Sequence, residues 1–146
     1  MTLEPYATPV LPEWIDYNGH LSEAYYVLVF GFATDAAMDA LGMGPEYRAA
    51  TSNSLYTVEA HVRYLAETGL GAELVVSTMV AGHGPKKLHL CHEMHVDGRL
   101  IATEEILGLH VNQTTRRTLG FDADVLAGIA ARRQEPPEWS GRSITS

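Results

Sequence analysis

The chain predicts an α+β domain in which one long buried helix is wrapped by a curved antiparallel sheet of about five strands. The stretch from Ser22 to Leu41 leaves only a narrow polar stripe around Asp35 and Asp39, and a helix that is apolar nearly all round is a buried helix. Four strand-like runs follow it, rich in β-branched and aromatic residues and separated by glycine-bearing turns. A single helix is buried on most sides only if a sheet curls around it.

The elements follow in order. Tyr6 to Trp14 lies among Pro5, Pro9 and Pro12 and reads as an edge or irregular strand, since proline cannot donate to a central ladder. A polar turn at Asn18-Gly19 leads into the helix, which Gly42 and Gly44 end by accepting positive φ. Pro45-Glu46-Tyr47-Arg48 starts a short second helix. The strands are Ser54 to Tyr64, Ala72 to Val80, Lys87 to Val96 and Leu100 to Val111, with Asp97-Gly98 as a two-residue hairpin signal. Ala123 to Arg133 is amphipathic and is expected to pack outside, and Glu135-Pro136-Pro137-Glu138 onward reads as a loose tail. The expected organisation is one domain over 1–134 and a tail over 135–146.

Composition narrows the function. Of 146 residues, 46% are apolar and 19% charged, and no apolar run is long enough to span a bilayer. Met1 to Pro5 has neither the basic start nor the apolar core of a secretion signal, and the single Cys91 cannot close an internal disulfide, so the cytoplasm is the expected compartment. Eighteen acidic against ten basic residues give a formal charge of −8, which argues against nucleic acid or an anionic membrane as partner. The pairs Lys86-Lys87 and Arg116-Arg117 remain available for the phosphates of a small anionic ligand. His89, His92 and His95 share one strand, where 89 and 95 take one face and 92 the other. No three-histidine metal site is expected, Cys91 reads as packed core, and no cofactor is expected.

The segment Trp14-Ile15-Asp16-Tyr17-Asn18-Gly19-His20-Leu21 carries an acid, an amide and an imidazole at every second position. In an extended chain these three share a face, just ahead of a helix whose first N–H groups lack intrahelical partners and favour negative charge. These are the parts of a hydrolytic site, which needs a nucleophile or activated water and donors for the oxyanion. Asp16 fits the carboxylate role, Asn18 holds it or the water, His20 orients or relays a proton, and backbone N–H groups over Gly19 to Glu23 serve the oxyanion.

Asp16-x-Asn18-x-His20 before a helix, followed by Tyr56-Thr57-Val58-Glu59 opening a strand, resembles the acyl-thioester hydrolases of the hotdog fold, including the plant acyl-ACP thioesterases. The blocks Val29 to Ala36, Lys87-Leu88-His89 and Leu109-His110-Val111 are similar to the thioesterase domains found alone, or fused behind L-carnitine dehydrogenases, in carnitine breakdown. The resemblance implies Asp16, Asn18, His20 and Glu59 as catalytic residues and an acyl-CoA substrate, inferred in that family to be betainyl-CoA. Lys86, Lys87 and Arg116 would then take CoA phosphates, and Tyr25, Tyr26 and Tyr56 would cage a quaternary ammonium. It also implies a homodimer, or a dimer of dimers, with Glu59 facing the neighbour's Asp16. Two other classes compete: a hotdog enoyl-CoA hydratase, whose Asp-x-Asn-Pro-x-His spacing differs from this one, and a non-catalytic acyl-CoA-binding protein.

Overall fold

The computed structural model of the chain describes residues 2–144. Strands β1 (Tyr6–Pro9), β2 (Asn53–Tyr64), β3 (Glu73–His83), β4 (Lys87–Val96), β5 (Arg99–Asn112) and the short β6 (Arg117–Thr118) form one antiparallel sheet. Its order is β1-β3-β4-β5-β2, with β6 added to β5. Three helices, α1 (Glu23–Ala40), α2 (Pro45–Thr51) and α3 (Ala123–Arg132), complete the fold. This is the expected hotdog layout.

Helix α1 lies in the hollow of the sheet because its apolar residues meet inward-pointing residues of every long strand. Tyr26, Val29, Phe30 and Ala33 pack on Leu74, Val76, Met94 and Ala102, while Ala37 and Met38 meet Leu55, Leu90 and Ile106. Each large side chain so buried contributes roughly 1.5–3 kcal/mol. One side of the helix stays open: Val27, Leu28, Gly31 and Asp35 are exposed along the flank that faces β2. The helix is therefore wrapped on three sides within one chain, and its polar stripe belongs to a groove.

Turn chemistry behaves as the residues dictate. Between β4 and β5, Asp97 and Gly98 both take positive φ, 50° and 79°, the geometry of a two-residue hairpin turn that matches strand twist. Two expectations are corrected at the C-terminus. Helix α3 does not pack outside: Val125 and Ile129 join Leu41, Met43, Leu90 and Phe121 in the core at the far end of α1. The stretch after it is not loose. Arg133 bridges to Val80 and the Gln134 N–H donates to the Val80 carbonyl, beyond the part of β3 that β1 covers. The chain then crosses the outer face of the sheet, where the Trp139 indole donates to Glu93 at 2.7 Å and the Gly141 N–H to Glu105 at 2.6 Å. Residues 145–146 of the expected tail lie outside the described residues.

The feature that most affects the site is a bulge in β2. Thr57 pairs with Gly108 and Glu59 with Leu107, leaving Val58 unpaired. One extra residue reverses the side-chain alternation for the rest of the strand. Leu55 and Thr57 point inward, and after the bulge Ala60, Val62 and Tyr64 do, while Glu59 and His61 pass to the outer face. Opposite the bulge, a Cβ on Gly108 would stand 2.8 Å from the Leu55 side chain. Gly108→Ala is expected to cost about 1–3 kcal/mol in urea unfolding through overpacking, and much less in a Leu55→Ala background; equal cost in both would show that the contact is relieved elsewhere.

Candidate active site

The predicted extended stretch around Asp16 is instead a tight hairpin. Ile15 bridges to Leu21, the Asp16 N–H donates to the His20 carbonyl at 2.9 Å, and the Gly19 N–H donates to the Asp16 carbonyl at 3.0 Å. Gly19 has φ +79°, the left-handed residue that closes a three-residue hairpin loop. The Asp16 side chain accepts the Asn18 N–H at 2.9 Å, an Asx turn that fixes one carboxylate oxygen and leaves the other free. Asp16 and His20 stand opposite each other at the base of the loop, and Asn18 is at its exposed tip. The three do not line one face of a strand, because the turn reverses the chain between them.

His20 leans on a second loop. Its Nε2 lies 3.3 Å from Glu67, and the neighbouring Leu21 N–H donates to the Thr68 carbonyl at 2.9 Å. The hairpin is thus tied to the segment after β2 on one side and to α1 on the other. Of the backbone donors expected for an oxyanion, Gly19, Leu21 and Ser22 are already engaged, the last with the Trp14 carbonyl. Among the described residues, the N–H groups of His20, Glu23 and Ala24 carry no protein partner, and Ser22 provides no side-chain cap. Free donors at a helix start beside a carboxylate are suited to the developing charge of a tetrahedral intermediate.

Glu59 does not join this hairpin. The bulge turns it to the outer face, where it lines a cavity of about 620 Å³ with His61, Lys87, His89 and Glu105. The polar groups of that cavity already hold one another. His89 pairs with Glu105 at 2.7 Å, and Glu105 accepts the Gly141 N–H with its other oxygen. His89, Cys91 and Glu105 bring their donor atoms within 4.8 Å of one another. Burial, with Glu105 and Glu93 beside it, pushes the Cys91 thiol up to about 12, which keeps it protonated and a poor ligand or nucleophile.

The other expected residues are scattered within one chain. Tyr25 stacks on Trp14 with centroids 5.8 Å apart, Tyr26 is buried with its hydroxyl donating to the Ala66 carbonyl at 3.1 Å, and Tyr56 pairs with Leu109 on the sheet's outer face. These three tyrosines form no common cage. Lys86, Lys87 and Arg116 are exposed at the opposite end of the sheet from the hairpin. The Leu65 N–H near the hairpin meets Ile101, whereas Lys86 meets His110, a separation of roughly 30 Å along β5 at ordinary strand rise.

Two buried polar groups escaped the sequence reading. His92, fully buried, lies between Thr34 and Thr78 at 2.9 and 2.8 Å and stacks on Phe30. Thr34 donates to the Phe30 carbonyl, so His92 gives its Nε2 proton to Thr34 and accepts from Thr78 at Nδ1. Desolvation lowers its pKa to about 4. Glu104, opposite His92 on β5, is only 4% exposed. It lines the groove between α1 and β2 and has no hydrogen-bond or ion-pair partner among the described residues, and desolvation raises its pKa to about 7. A Thr-Glu-Glu run gives no hint of such burial, since alternation fixes the inward residue only once register is known.

These geometries can be set beside known proteins. A family model described as the thioesterase-like superfamily matches residues 10–129. The chain belongs to the thioesterase-like superfamily. This thioesterase is 42% identical to the betainyl-CoA thioesterase of Pseudomonas aeruginosa, over 97% of its own length and 94% of that protein's. It is 40% identical to the L-carnitine dehydrogenase/betainyl-CoA thioesterase of Agrobacterium fabrum, over 90% of its length and 28% of the longer chain. Among solved structures, a hypothetical protein of Staphylococcus aureus in complex with CoA superposes with TM-score 0.92 at 27% identity, covering 100% of this chain and 96% of that one. A putative thioesterase of Pseudomonas putida KT2440 superposes with TM-score 0.84 at 33% identity, covering 100% and 97%. The activity of this thioesterase is hydrolysis of an acyl-CoA thioester to the free acid and CoA.

The two buried groups oppose each other in pH. Glu104 holds its proton up to about pH 7 when folded but ionises near 4.5 when unfolded, so its stabilising contribution is full below 4.5 and lost as pH rises through 7. His92 titrates near 4 folded and near 6.5 unfolded, so its contribution is present above 6.5 and lost as pH falls toward 4. Urea unfolding of Glu104→Gln is expected to show a gain over the natural chain on the order of 2–3 kcal/mol on passing from pH 4 to pH 8. A pH-independent difference would show that the carboxyl is solvated.

Proposed function

We propose that this protein hydrolyses betainyl-CoA in the cytoplasm, as a homodimer, with Asp16 as the reacting carboxylate. The observation that carries the chemistry is the hairpin: a carboxylate held by one oxygen lies in the loop that leads straight into α1, whose first N–H groups at Glu23 and Ala24 have no partner among the described residues. Asp16 either attacks the thioester carbonyl or draws the proton from an attacking water. Both routes put the same negative charge on the carbonyl oxygen, which the free N–H groups receive. The C–S bond then breaks and CoA leaves as thiolate; on the first route water next cleaves the resulting acyl–Asp16 anhydride, and both routes end in the free acid and an unmodified Asp16. His20, held by Glu67, orients the loop. Asn18 fixes Asp16 through its backbone.

The substrate is supported by the near full-length match to a betainyl-CoA thioesterase. The dimer is supported by β2, a twelve-residue strand whose outer edge is unpaired, with Tyr56 47% and Val58 54% exposed. Two copies related by a twofold axis through such an edge pair antiparallel. That arrangement sets one subunit's hairpin end beside its partner's Lys86, Lys87 and Arg116 end. Cations too remote in one chain thus come within reach of a CoA bound at Asp16.

Thiol release is expected from betainyl-CoA well above acetyl-CoA, hexanoyl-CoA and a benzoyl thioester, falling at least a hundredfold in Asp16→Asn. Release unaffected by that substitution would remove Asp16 from the chemistry, and loss of an enoyl chromophore without thiol release would identify a hydratase. For the assembly, Val58→Asp is expected to give a monomer in sedimentation and to lower activity; a retained dimer would place the interface elsewhere.

A further inference from the structure

Near the hairpin the aromatic residues form two separate pairs, Tyr25 on Trp14 and Tyr26 edge to face with Tyr64 at 5.1 Å, the second lining a cleft with Glu23 and Glu67, and a further recognition element for a quaternary ammonium lies along α1. The groove between α1 and β2, about 300 Å³, holds one. Its walls are Val27, Gly31, Met38, Leu55 and Ile106, with the carboxyls of Glu104 from β5 and Asp35 from α1. Among the described residues no cationic side chain lines it. Gly31 has nothing within 4 Å of where a Cβ would stand, so the helix leaves open space there. The groove begins at Val27, one helical turn, about 6 Å, beyond the free N–H of Glu23.

We propose that this groove is the acyl pocket and that Glu104, assisted by Asp35, recognises the fixed positive charge of the acyl group. The inference rests on the betainyl-CoA reading above and adds the residues that select the cation. The Glu104 carboxyl has no protein partner although the residue is only 4% exposed, and its oxygens open onto the groove rather than being sealed in the core, which leaves them available to a ligand. A trimethylammonium group suits it, because its methyls fit apolar walls and its charge needs no hydrogen-bond donor. The groups facing Glu104 favour the same occupant. His92 on β4 is fully engaged by Thr34 and Thr78, and Tyr64 on β2 spends its hydroxyl on the Glu23 carbonyl. Asp35 on α1, like Glu104, has its pKa raised chiefly by burial. Arg48 already acts on Asp35 and lowers its pKa in part, with Asp39 opposing it, whereas burial is the one cause acting on Glu104; a cation entering this pocket favours the ionised form of Glu104 above all.

The test compares betainyl-CoA with its neutral isostere, 3,3-dimethylbutyryl-CoA, by thiol release at pH 8. In the natural dimer the kcat/KM ratio is expected to favour the cation at least tenfold. In Glu104→Gln the ratio is expected to fall tenfold or more, carried by KM of the cationic substrate, with Glu104→Asp restoring part of it. Asp35→Asn is expected to lower the ratio by a smaller factor and provides the same readout should the Gln variant not fold. A ratio unchanged within twofold in Glu104→Gln, with the natural protein still selective, overturns the proposal and leaves the betainyl-CoA reading standing. A natural protein without selectivity overturns that reading and the proposal together.

Discussion

Burying α1 in the hollow of one sheet organises this molecule. The helix has too little polar surface to stand against water, and β3, β4 and β5 supply Leu74, Val76, Leu90, Met94, Ala102 and Ile106 to cover it. Once the helix is there, its start is fixed where the chain enters from the Asp16 hairpin, and its flank of Val27, Gly31 and Asp35 is fixed against β2. The donors at the helix start and the groove along its side are therefore consequences of one packing decision. In the proposed reading, chemistry and acyl recognition fall on the same helix, about one turn apart.

A second constraint is the bulge at Val58. It divides β2 into a half that faces the core with Leu55 and Thr57 and a half that presents Glu59 and His61 to the outer surface. The same residue shift leaves Ala60 and Val62 on the helix side, where Val62 stands opposite Glu104. A small residue at 60 and a glycine at 31 keep the groove open between sheet and helix. The outer cavity, though larger, is built around a satisfied His89–Glu105 pair and the crossing C-terminal segment. Size alone does not mark the reactive site.

The long elements were legible because hydrophobic period and turn residues agree there. Ser22 to Leu41 predicted α1 within a residue at either end, and Asp97-Gly98 marked the β4–β5 hairpin. Helix α3 was legible as a helix but not as part of the core, since amphipathicity does not say which surface a helix meets. Asp16, Asn18 and His20 were recognisable as a group, yet alternation put them on one face when Gly19 turns the chain between them. The face that Glu59 takes was hidden for a related reason: a single unpaired residue, invisible without register, reverses the face of everything after it. Glu104 was missed because burial of one acid in Thr103-Glu104-Glu105 depends on strand partners far away in the chain.

The central claim is that the thioester meets the hairpin and the start of α1 rather than the outer cavity. A crystal structure of Asp16→Asn holding intact betainyl-CoA tests it most directly. The account predicts the thioester carbonyl oxygen within hydrogen-bond reach of the backbone N–H groups of His20, Glu23 or Ala24, with the acyl group running along α1. A thioester seated instead beside Glu59, His89 and Glu105 on the outer face would contradict it.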